Sequence, residues 1–163
     1  QDLLFRMIAF SDNHARDLLL RGIPEENLLG LMATIHAEEV QIGNRRLISP
    51  KSFNTYFRVL YNATLLSRSM SEYALAILSQ SYLVDGLRKY IPEDILVASK
   101  FGFHTGSTDG VPDTQFHECG IVYRPDSPFT LCVMTRSAQS TPEELVEMVA
   151  QVSHIIWRRT AGA

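Results

Sequence analysis

The spacing of apolar residues changes character near residue 93, and this change limits the folds that the chain can adopt. Before that point apolar residues recur at helical intervals, as they do in the stretch beginning with Leu3, Leu4 and Met7. Beyond it, short apolar runs separated by turn residues predict strands, and a capped amphipathic segment predicts a last helix. Helices followed by strands and a terminal helix predict an α+β fold, in which helices flank a small antiparallel sheet.

The first part of the chain, residues 1–92, is predicted to be mainly helical. The expected helices cover residues 3–10, 14–21, 25–35, a segment that starts at Ser49-Pro50, and residues 69–81. Ser49 suits the N-cap of its helix and Pro50 the first turn. In the last of these helices, Tyr73, Ile77 and Leu78 are expected to face inward. The polar stretch 36–47 predicts a surface loop.

The second part, residues 93–163, is predicted to hold the sheet and the last helix. Residues 94–100 form a strand candidate, and residues 104–115, rich in turn formers, predict a mobile loop. Two further runs, 117–123 and 129–135, predict a hairpin joined by residues 124–128. Thr141 and Glu144 complete a capping box around Pro142, which marks the start of the terminal helix. Its apolar stripe consists of Leu145, Val149, Val152 and Ile156.

Length and charge narrow the class of protein. The chain has 163 residues, which suits one domain over residues 1–163, and its net charge of -3 argues against a nucleic-acid partner. No apolar run approaches the roughly 20 residues that a membrane span needs. The first residues already belong to a predicted helix, which suggests that the chain is a piece of a longer protein, incomplete at its N-terminus.

The cysteines and histidines predict neither a metal site nor a disulfide. None of the 5 histidines is spaced from cysteines or carboxylates as metal ligands are, so no metal or other cofactor is expected. Cys119 and Cys132 lie on neighbouring predicted strands whose register the sequence leaves open. We therefore expect two free, buried thiols.

Ser11-Asp12-Asn13 interrupts the helical pattern and admits two interpretations. It is typical of a helix break in which Asp12 or Asn13 caps the next helix. Alternatively, it forms a helix-bounded loop facing a cleft, where a serine hydroxyl relays protons and an asparagine amide binds a polar substrate group.

Lys100-Phe101-Gly102 ends a predicted strand and also admits two interpretations. One is a surface lysine at a strand terminus, followed by a turn glycine. In the other, the ammonium points into a cleft, where it binds an anion or tunes a neighbouring hydroxyl. Gly102 would then let a substrate approach backbone N–H groups that stabilise an oxyanion.

The order of these motifs resembles the serine β-lactamase and penicillin-binding-protein family, and most of all its class A β-lactamase-type serine hydrolases. A Ser-Asp-Asn between helices is followed by a strand ending in Lys-x-Gly, then by a hairpin and a terminal helix. The resemblance covers nearly the whole chain. It implies a β-lactamase/transpeptidase-like fold and a β-lactam or peptide-like small-molecule substrate.

The resemblance also implies roles for single residues. Ser11 would relay a proton to the leaving nitrogen, and Asn13 would bind the amide side chain of the substrate. Lys100 would support both Ser11 and the substrate carboxylate. Next to Gly102, which is also expected at the substrate, Phe103 would lend its backbone N–H to the oxyanion hole.

Phe101 departs from the family pattern at the substrate site. The family carries Thr or Ser there, and a phenyl ring cannot donate the hydroxyl hydrogen bond that holds the substrate carboxylate. Thr105 or His104 would have to substitute, and both lie at the start of the predicted loop.

The family's nucleophile belongs to a Ser-x-x-Lys motif upstream of the Ser-Asp-Asn, and this chain has none. No serine stands three residues before Lys51, Lys89 or Lys100, the only lysines. Glu38-Glu39 occupies the region of the deacylating glutamate of class A enzymes without the Glu-x-x-x-Asn spacing. We therefore assign no deacylating base and expect this chain to be inactive alone.

Residues 129–134 are almost continuously apolar, which predicts a strand covered on both faces and paired on both edges. In the family, one neighbour of this strand comes from the N-terminal segment. We expect the missing strands to come from a segment outside this chain, from another chain, or from a swapped copy.

Two functions from different classes remain open. The chain is either the C-terminal portion of a serine hydrolase that forms an acyl-enzyme with β-lactam or acyl-D-Ala-D-Ala-type amides, or a non-catalytic relative used for binding or assembly. Ser11, Asn13 and Lys100 favour the enzyme, whereas Phe101 and the absent glutamate spacing favour the non-catalytic relative. By resemblance alone, the expected location is extracytoplasmic, in the periplasm or cell envelope.

Overall fold

A computed structural model describes residues 2–37, 39–42, 45–108 and 110–160 and confirms the α+β fold. The helices are α1 (Asp2–Ala9), α2 (Asn13–Leu20), α3 (Glu25–Thr34), α4 (Pro50–Asn62), α5 (Arg68–Leu78) and α6 (Pro142–Thr160). The strands are β1 (Glu39–Ile42), β2 (Arg45–Ile48), β3 (Val97–Thr108), β4 (Val111–Val122) and β5 (Phe129–Ser137). Within these ranges, no helix is long and apolar enough to cross a membrane.

The central sheet is antiparallel and has the strand order β3-β4-β5. On one face α6 buries Leu145 and Val149 against Phe116 of β4. On the other face α4 and α5 cover the sheet, and Phe57 of α4 packs with Ile121 of β4. This arrangement of helices on both faces leaves the outer edge of β3 beside the junction of α1 and α2, where Lys100 contacts Ser11.

The predicted helix starts at Ser49 and Thr141 are confirmed, because both depend on local capping. The Ser49 hydroxyl accepts a hydrogen bond from the Ser52 N–H at 3.0 Å. The Thr141 hydroxyl accepts from the Glu144 N–H at 3.2 Å, and the Glu144 carboxylate accepts from the Thr141 N–H at 3.0 Å.

Two predicted loops are wrong, because strand pairing holds both segments. Residues 36–47 contain β1 and most of β2, which pair antiparallel with Val40 opposite Leu47. Residues 104–115 continue β3 and β4, which pair as far as Thr108 opposite Val111. In such a two-stranded ribbon the backbone N–H and C=O groups are paired between the strands, even where turn-forming residues occupy it. Gly110, with φ +80°, adopts at the end of this ribbon a conformation that glycine favours.

The interior of the helical part differs from expectation at one residue. Ile77 and Leu78 are buried as predicted, whereas Tyr73 is 43% exposed, so its inward orientation is wrong. The three positions lie on one helix, and Leu78 at its end packs with the sheet residues Ala98 and Ile121.

The prediction of free thiols is also wrong: Cys119 and Cys132 form a disulfide. The register places them directly opposite each other on β4 and β5, with their Cα atoms 3.9 Å apart. This register depends on the pairing of whole strands, which the sequence does not fix.

Strand β5 has core contacts on both faces. Leu131 and Val133 pack towards α6, and Met134 packs on the opposite side with the α4 cluster. Within the part of the chain that the structure describes, β5 pairs with β4 alone, so its other edge has no neighbouring strand.

Candidate active site

The turn between α1 and α2 holds Ser11 in a fixed conformation. Ser11 has φ 54°, in the left-handed region that non-glycine residues seldom adopt. Asp12 follows as the N-cap of α2, and its carboxylate accepts hydrogen bonds from the backbone N–H groups of His14 at 2.8 Å and Ala15 at 3.1 Å. Arg6 of α1 donates to the same carboxylate at 2.6 and 3.0 Å. The turn is therefore both a capped helix break and a rigid support for a hydroxyl.

The electrostatics of the turn favour an ionised Asp12. The backbone N–H of Ala15, followed by the Arg6 guanidinium, lowers the pKa of the Asp12 carboxyl below its ordinary value. A charged Asp12 joins the last turn of α1 to the first turn of α2. The strained backbone of Ser11 lies directly beside this clamp.

Lys100 and Ser11 meet at the β3 edge, as the motif order implies. The Lys100 Nζ donates one hydrogen bond to the Ser11 hydroxyl at 2.7 Å and another to the Phe101 carbonyl at 2.7 Å. An ammonium has three N–H donors, so one is left for a ligand. Burial lowers the pKa of Lys100 to about 8, against the opposing effect of the Glu118 charge. At neutral pH the group is therefore still mainly an ammonium.

The side chain of Phe101 belongs to the core and not to the substrate cleft. Its ring is 5% exposed and packs with Leu87 and Phe116 under α6. The Lys100 Nζ lies 4.5 Å from the centroid of the same ring. Any contribution of Phe101 to substrate binding is thus left to its backbone, and it supplies no hydroxyl for a carboxylate.

The other predicted site residues of β3 are placed as follows. A Cβ on Gly102 would meet nothing within 4 Å, so the backbone is open to an approaching group there. Phe103 is exposed, and Thr105 is exposed within β3, opposite Thr114. Asn13 is exposed at the first residue of α2, next to the Ser11 turn.

Neither residue expected to replace the missing hydroxyl is suitably placed. The expectation that Thr105 starts a loop is wrong, because Thr105 pairs with Thr114 inside the β3–β4 ribbon. Side chains alternate along a strand, so Thr105 also faces away from Lys100. His104 shares the face of Lys100, but four strand residues put their Cα atoms about 13 Å apart.

Glu118 is a supporting residue that the sequence pattern did not reveal. Its buried carboxylate accepts hydrogen bonds from the Leu87 N–H at 2.8 Å and from the Ser99 hydroxyl at 2.7 Å. Burial raises its pKa. Because Ser99 precedes Lys100, these bonds fix β3 behind the ammonium. A charged residue within an apolar strand was the available signal.

A cavity of about 430 Å³ adjoins Lys100 and Gly102 on the α4 side of the sheet. His117 lines it, and its Nε2 lies 3.1 Å from the Gln115 side-chain oxygen. The Gln115 amide nitrogen is directed at Asp113, so the Gln115 oxygen is the atom that faces the His117 ring. Burial lowers the pKa of His117, against the opposing effects of a backbone hydrogen bond at Phe116 and of the Asp113 charge. The lowered pKa favours the neutral imidazole, and the sequence pattern did not predict a histidine in this cavity.

The structure identifies no deacylating base or metal site among the residues that it describes. Glu38 lies outside those residues, and Glu39 is exposed at the start of β1. Within the described ranges, no group of three histidine, cysteine or acidic side chains is arranged to hold a metal ion.

Comparisons with known proteins give the family context of this geometry. The sequence model of the beta-lactamase enzyme family matches residues 1–160. No curated protein matches the chain. A β-lactamase from Chitinophaga pinensis is similar in structure, with a TM-score of 0.84 and 19% identity over 98% of this chain and 64% of its own.

Two further solved structures have the same fold. A class A β-lactamase representative from Bacteroides cellulosilyticus has a TM-score of 0.85 and 16% identity, over 99% of this chain and 64% of its own. A variant of PBP-A, described as an acyl-enzyme complex with penicillin G, has a TM-score of 0.79 and 19% identity, over 99% and 61%. This chain thus spans less than two thirds of the length of these structures.

Proposed function

Because this chain belongs to the beta-lactamase enzyme family, we propose that it carries the proton-relay part of a serine hydrolase active site. The substrates would be β-lactam or acyl-D-Ala-D-Ala-type amides. The hydrogen bond from the Lys100 ammonium to the Ser11 hydroxyl, 2.7 Å long, is the observation that carries the proposal. It joins residues 89 positions apart, one from each motif, at an open strand edge.

The geometry supports a specific division of labour in acylation. A serine outside this chain attacks the amide carbonyl and gives its hydroxyl proton to a base that also lies outside this chain. An ester bond forms as the bond from carbon to nitrogen breaks, and the base returns a proton to Ser11 once Ser11 has donated its own. The Ser11 hydroxyl gives its proton to the leaving nitrogen, while the Lys100 ammonium, already bonded to the same oxygen, stabilises the negative charge that develops on it. The remaining N–H of Lys100 binds the substrate carboxylate.

Binding of the acyl group would fall to the neighbouring residues. Asn13, exposed beside the turn, presents an amide to the amide side chain of the substrate, and the Phe103 backbone N–H supports the oxyanion. The open backbone at Gly102 supports close approach of the substrate. The acyl-enzyme with penicillin G formed by the PBP-A variant is the precedent for this chemistry on the shared fold.

Labelling with a fluorescent penicillin tests the proposal. The samples are this chain, the same chain extended by the sequence that precedes Gln1, and the extended Lys100→Ala and Lys89→Ala variants. We expect labelling only after extension, a loss of about 100-fold or more in Lys100→Ala, and no loss in Lys89→Ala. Labelling of the unextended chain would contradict the absence of the nucleophile from it.

A non-catalytic relative is the second candidate, and the Phe101 ring is the observation that favours it. The ring replaces the hydroxyl that the family uses for the carboxylate and packs into the core. The two candidates differ in what lies upstream: a Ser-x-x-Lys on a helix there supports the enzyme. A folded extended chain that takes no penicillin label would support the non-catalytic alternative.

The free edge of β5 supports a complementing strand. We propose that it is covered by a segment preceding Gln1, by another chain, or by a swapped copy. Light scattering separates these cases, because a swapped pair doubles the mass whereas a preceding segment of the same chain leaves a monomer. Protection of β5 amides from hydrogen exchange on extension would support the intramolecular case.

An extracytoplasmic location is also part of the proposal. The Cys119–Cys132 disulfide supports it, because disulfides form and persist in oxidising compartments. Export of a tagged full-length protein to the cell envelope is the expected result, and retention in the cytoplasm would contradict it.

A further inference from the structure

A row of aromatic rings runs along the edge of the site. Phe10 stacks on Tyr82 with ring centroids 6.2 Å apart, and Tyr82 meets Phe101 edge-on at 5.2 Å. Phe103 continues the series, 5.9 Å from Phe101. These four residues, named the aromatic row below, begin at the Ser-Asp-Asn turn and end on the strand that carries the site lysine.

Most of the row is open to solvent. Tyr82 is 54% exposed, Phe10 51% and Phe103 45%, whereas the central ring of Phe101 is only 5% exposed. The buried ring packs against the Tyr82 and Phe103 rings, which keeps those exposed rings in mutual register. Apolar side chains that are exposed singly are ordinary, but a contiguous exposed set is typical of a binding surface. The exposed rings of Phe10, Tyr82 and Phe103, supported by the buried Phe101 ring, therefore offer an apolar group of a ligand a preformed surface.

The row lies against the positive charge of the site. The Lys100 Nζ is 4.5 Å from the centroid of Phe101, and its unused N–H is available to an anion. The Tyr82 ring lies 5.2 Å from the same Phe101 ring, so an apolar group next to a carboxylate bound at this ammonium is within reach of it. The site thus matches an anion with a bulky apolar group next to it.

We infer that the aromatic row selects substrates whose leaving residue carries an aromatic or bulky apolar side chain beside its carboxylate. The inference rests on the proposed function, because that function directs the leaving residue to Lys100. It goes further by naming the side chain: a D-aromatic or large D-apolar residue in place of D-alanine. Ring pairing between ligand and protein supplies the preference.

Calorimetric binding of two matched dipeptides to the extended chain tests the inference. N-acetyl-D-alanyl-D-phenylalanine and N-acetyl-D-alanyl-D-alanine differ only in the side chain of the leaving residue. We expect the phenylalanyl peptide to bind about threefold to tenfold more tightly. Tyr82→Ala should abolish this difference and Tyr82→Phe should keep it. Tyr73→Ala, which removes an exposed tyrosine of α5 outside the row, should also keep it.

The possible results separate the row from the acyl-enzyme function. Equal binding of the two peptides, binding of neither, or a preference that survives Tyr82→Ala would overturn the inference. Fluorescent penicillin applied to the same samples reports acylation independently. A binding preference without penicillin labelling would support the selectivity of the aromatic row and contradict the acyl-enzyme function. Labelling without a binding preference would support the acyl-enzyme function and contradict the selectivity of the row.

Discussion

Two lysines of this chain lie in opposite electrostatic settings. Lys100 is half-buried on β3 and donates to two neutral oxygens, and burial lowers its pKa to about 8. Lys89 is exposed between α5 and β3, where a hydrogen bond of 2.7 Å to the Glu147 carboxylate raises its pKa. The Lys89 ammonium is paired with a carboxylate, whereas the Lys100 ammonium still has one N–H that can donate to a ligand. A perturbed cation paired only with neutral groups is the one that indicates function.

The surroundings of Lys89 explain why that region is structural. Glu147 also accepts hydrogen bonds from the Tyr90 hydroxyl at 2.8 Å and from the Gln151 amide at 3.0 Å. With the Lys89 ammonium as the main cause, these bonds lower the pKa of Glu147 to about 2. The cluster joins α6 to the segment before β3 and satisfies its own charges. Exposed pairs of this kind contribute little to stability.

The largest expected loss of stability comes from removing the disulfide. Cys119 lies opposite Lys100 in the strand register, so the same change should also be felt at the site. Replacing both cysteines by alanine should lower the free energy of unfolding by about 2–3 kcal/mol, since the bond closes a short loop. Urea denaturation followed by circular dichroism measures this loss. The side-chain NMR signal of Lys100 should also shift, while that of Lys89 stays in place. A shift of both signals would show that the two regions are coupled.

The predictable parts of the fold depended on local chemistry. Ser49 and Thr141 mark helix starts because each cap bonds to a backbone N–H three residues away. The extension of β3 and β4 through residues 104–115 was not predictable, since pairing between distant strands overrides local turn propensity. The disulfide was missed for the same reason.

The residues of the candidate site also divide into those that the sequence predicted and those that it did not. Motif order brought Ser11 and Lys100 forward as partners, and the structure places them in contact. Glu118 was not predicted at the site, because its position behind Lys100 arises from contacts with Ser99 and Leu87 across the fold. A sequence motif can identify the reacting groups, but the residues that support them are found only through packing.

A second prediction compares Lys100→Met with Lys89→Met. Removing the half-buried charge of Lys100 should raise the free energy of unfolding at pH 7 by about 1–2 kcal/mol, which is the burial penalty discounted for solvent screening. Lys89→Met should lower it slightly, because Glu147 loses its partner. Denaturant titration of both variants measures the two signs, and a common sign would remove the contrast between the regions.

The pH dependence of these variants sharpens the test. Folded Lys100 loses its proton near pH 8 and the unfolded chain near 10.5, so the unfolded state binds more protons in that window. The stability of the wild type should therefore rise relative to Lys100→Met between these values. Lys89 contributes stability below pH 10.5 that is lost as pH rises through its raised folded pKa. A flat difference between wild type and Lys100→Met would contradict the lowered pKa.

A smaller effect is expected at the carboxylate that supports Ser11. Asp12→Ala removes the cap of α2 and the Arg6 bond, and should lower the Tm by about 2–4 °C. Asp12→Asn keeps an acceptor for the cap and should lose less. Because the folded pKa of Asp12 lies below its ordinary value of 3.8, its contribution is present above that pH and lost on acidification. Thermal melts at pH 7 and pH 3 check this, and an equal deficit at both would contradict it.

The smallest change in stability is expected at Gly102, where the contrast between structural and functional regions is tested without altering a charge. A methyl group there meets nothing within 4 Å, so Gly102→Ala should change the free energy of unfolding by less than about 0.5 kcal/mol. Gly30→Ala is the matched control, because a Cβ on Gly30 of α3 also meets nothing within 4 Å, far along the chain from Lys100.

The two glycine variants should differ in ligand binding, while Gly30→Ala should in addition gain about 0.5–1 kcal/mol of stability because alanine favours a helix interior more than glycine does. A methyl group at Gly102 occupies space beside the Lys100 ammonium, so penicillin labelling of the extended chain should fall about tenfold, whereas Gly30→Ala should label like the wild type. Labelling rates and denaturation curves of both variants measure the separation. If Gly102→Ala labels normally, the open backbone at β3 is not a substrate surface. The ammonium would then have to bind its anion from the side of Ser11.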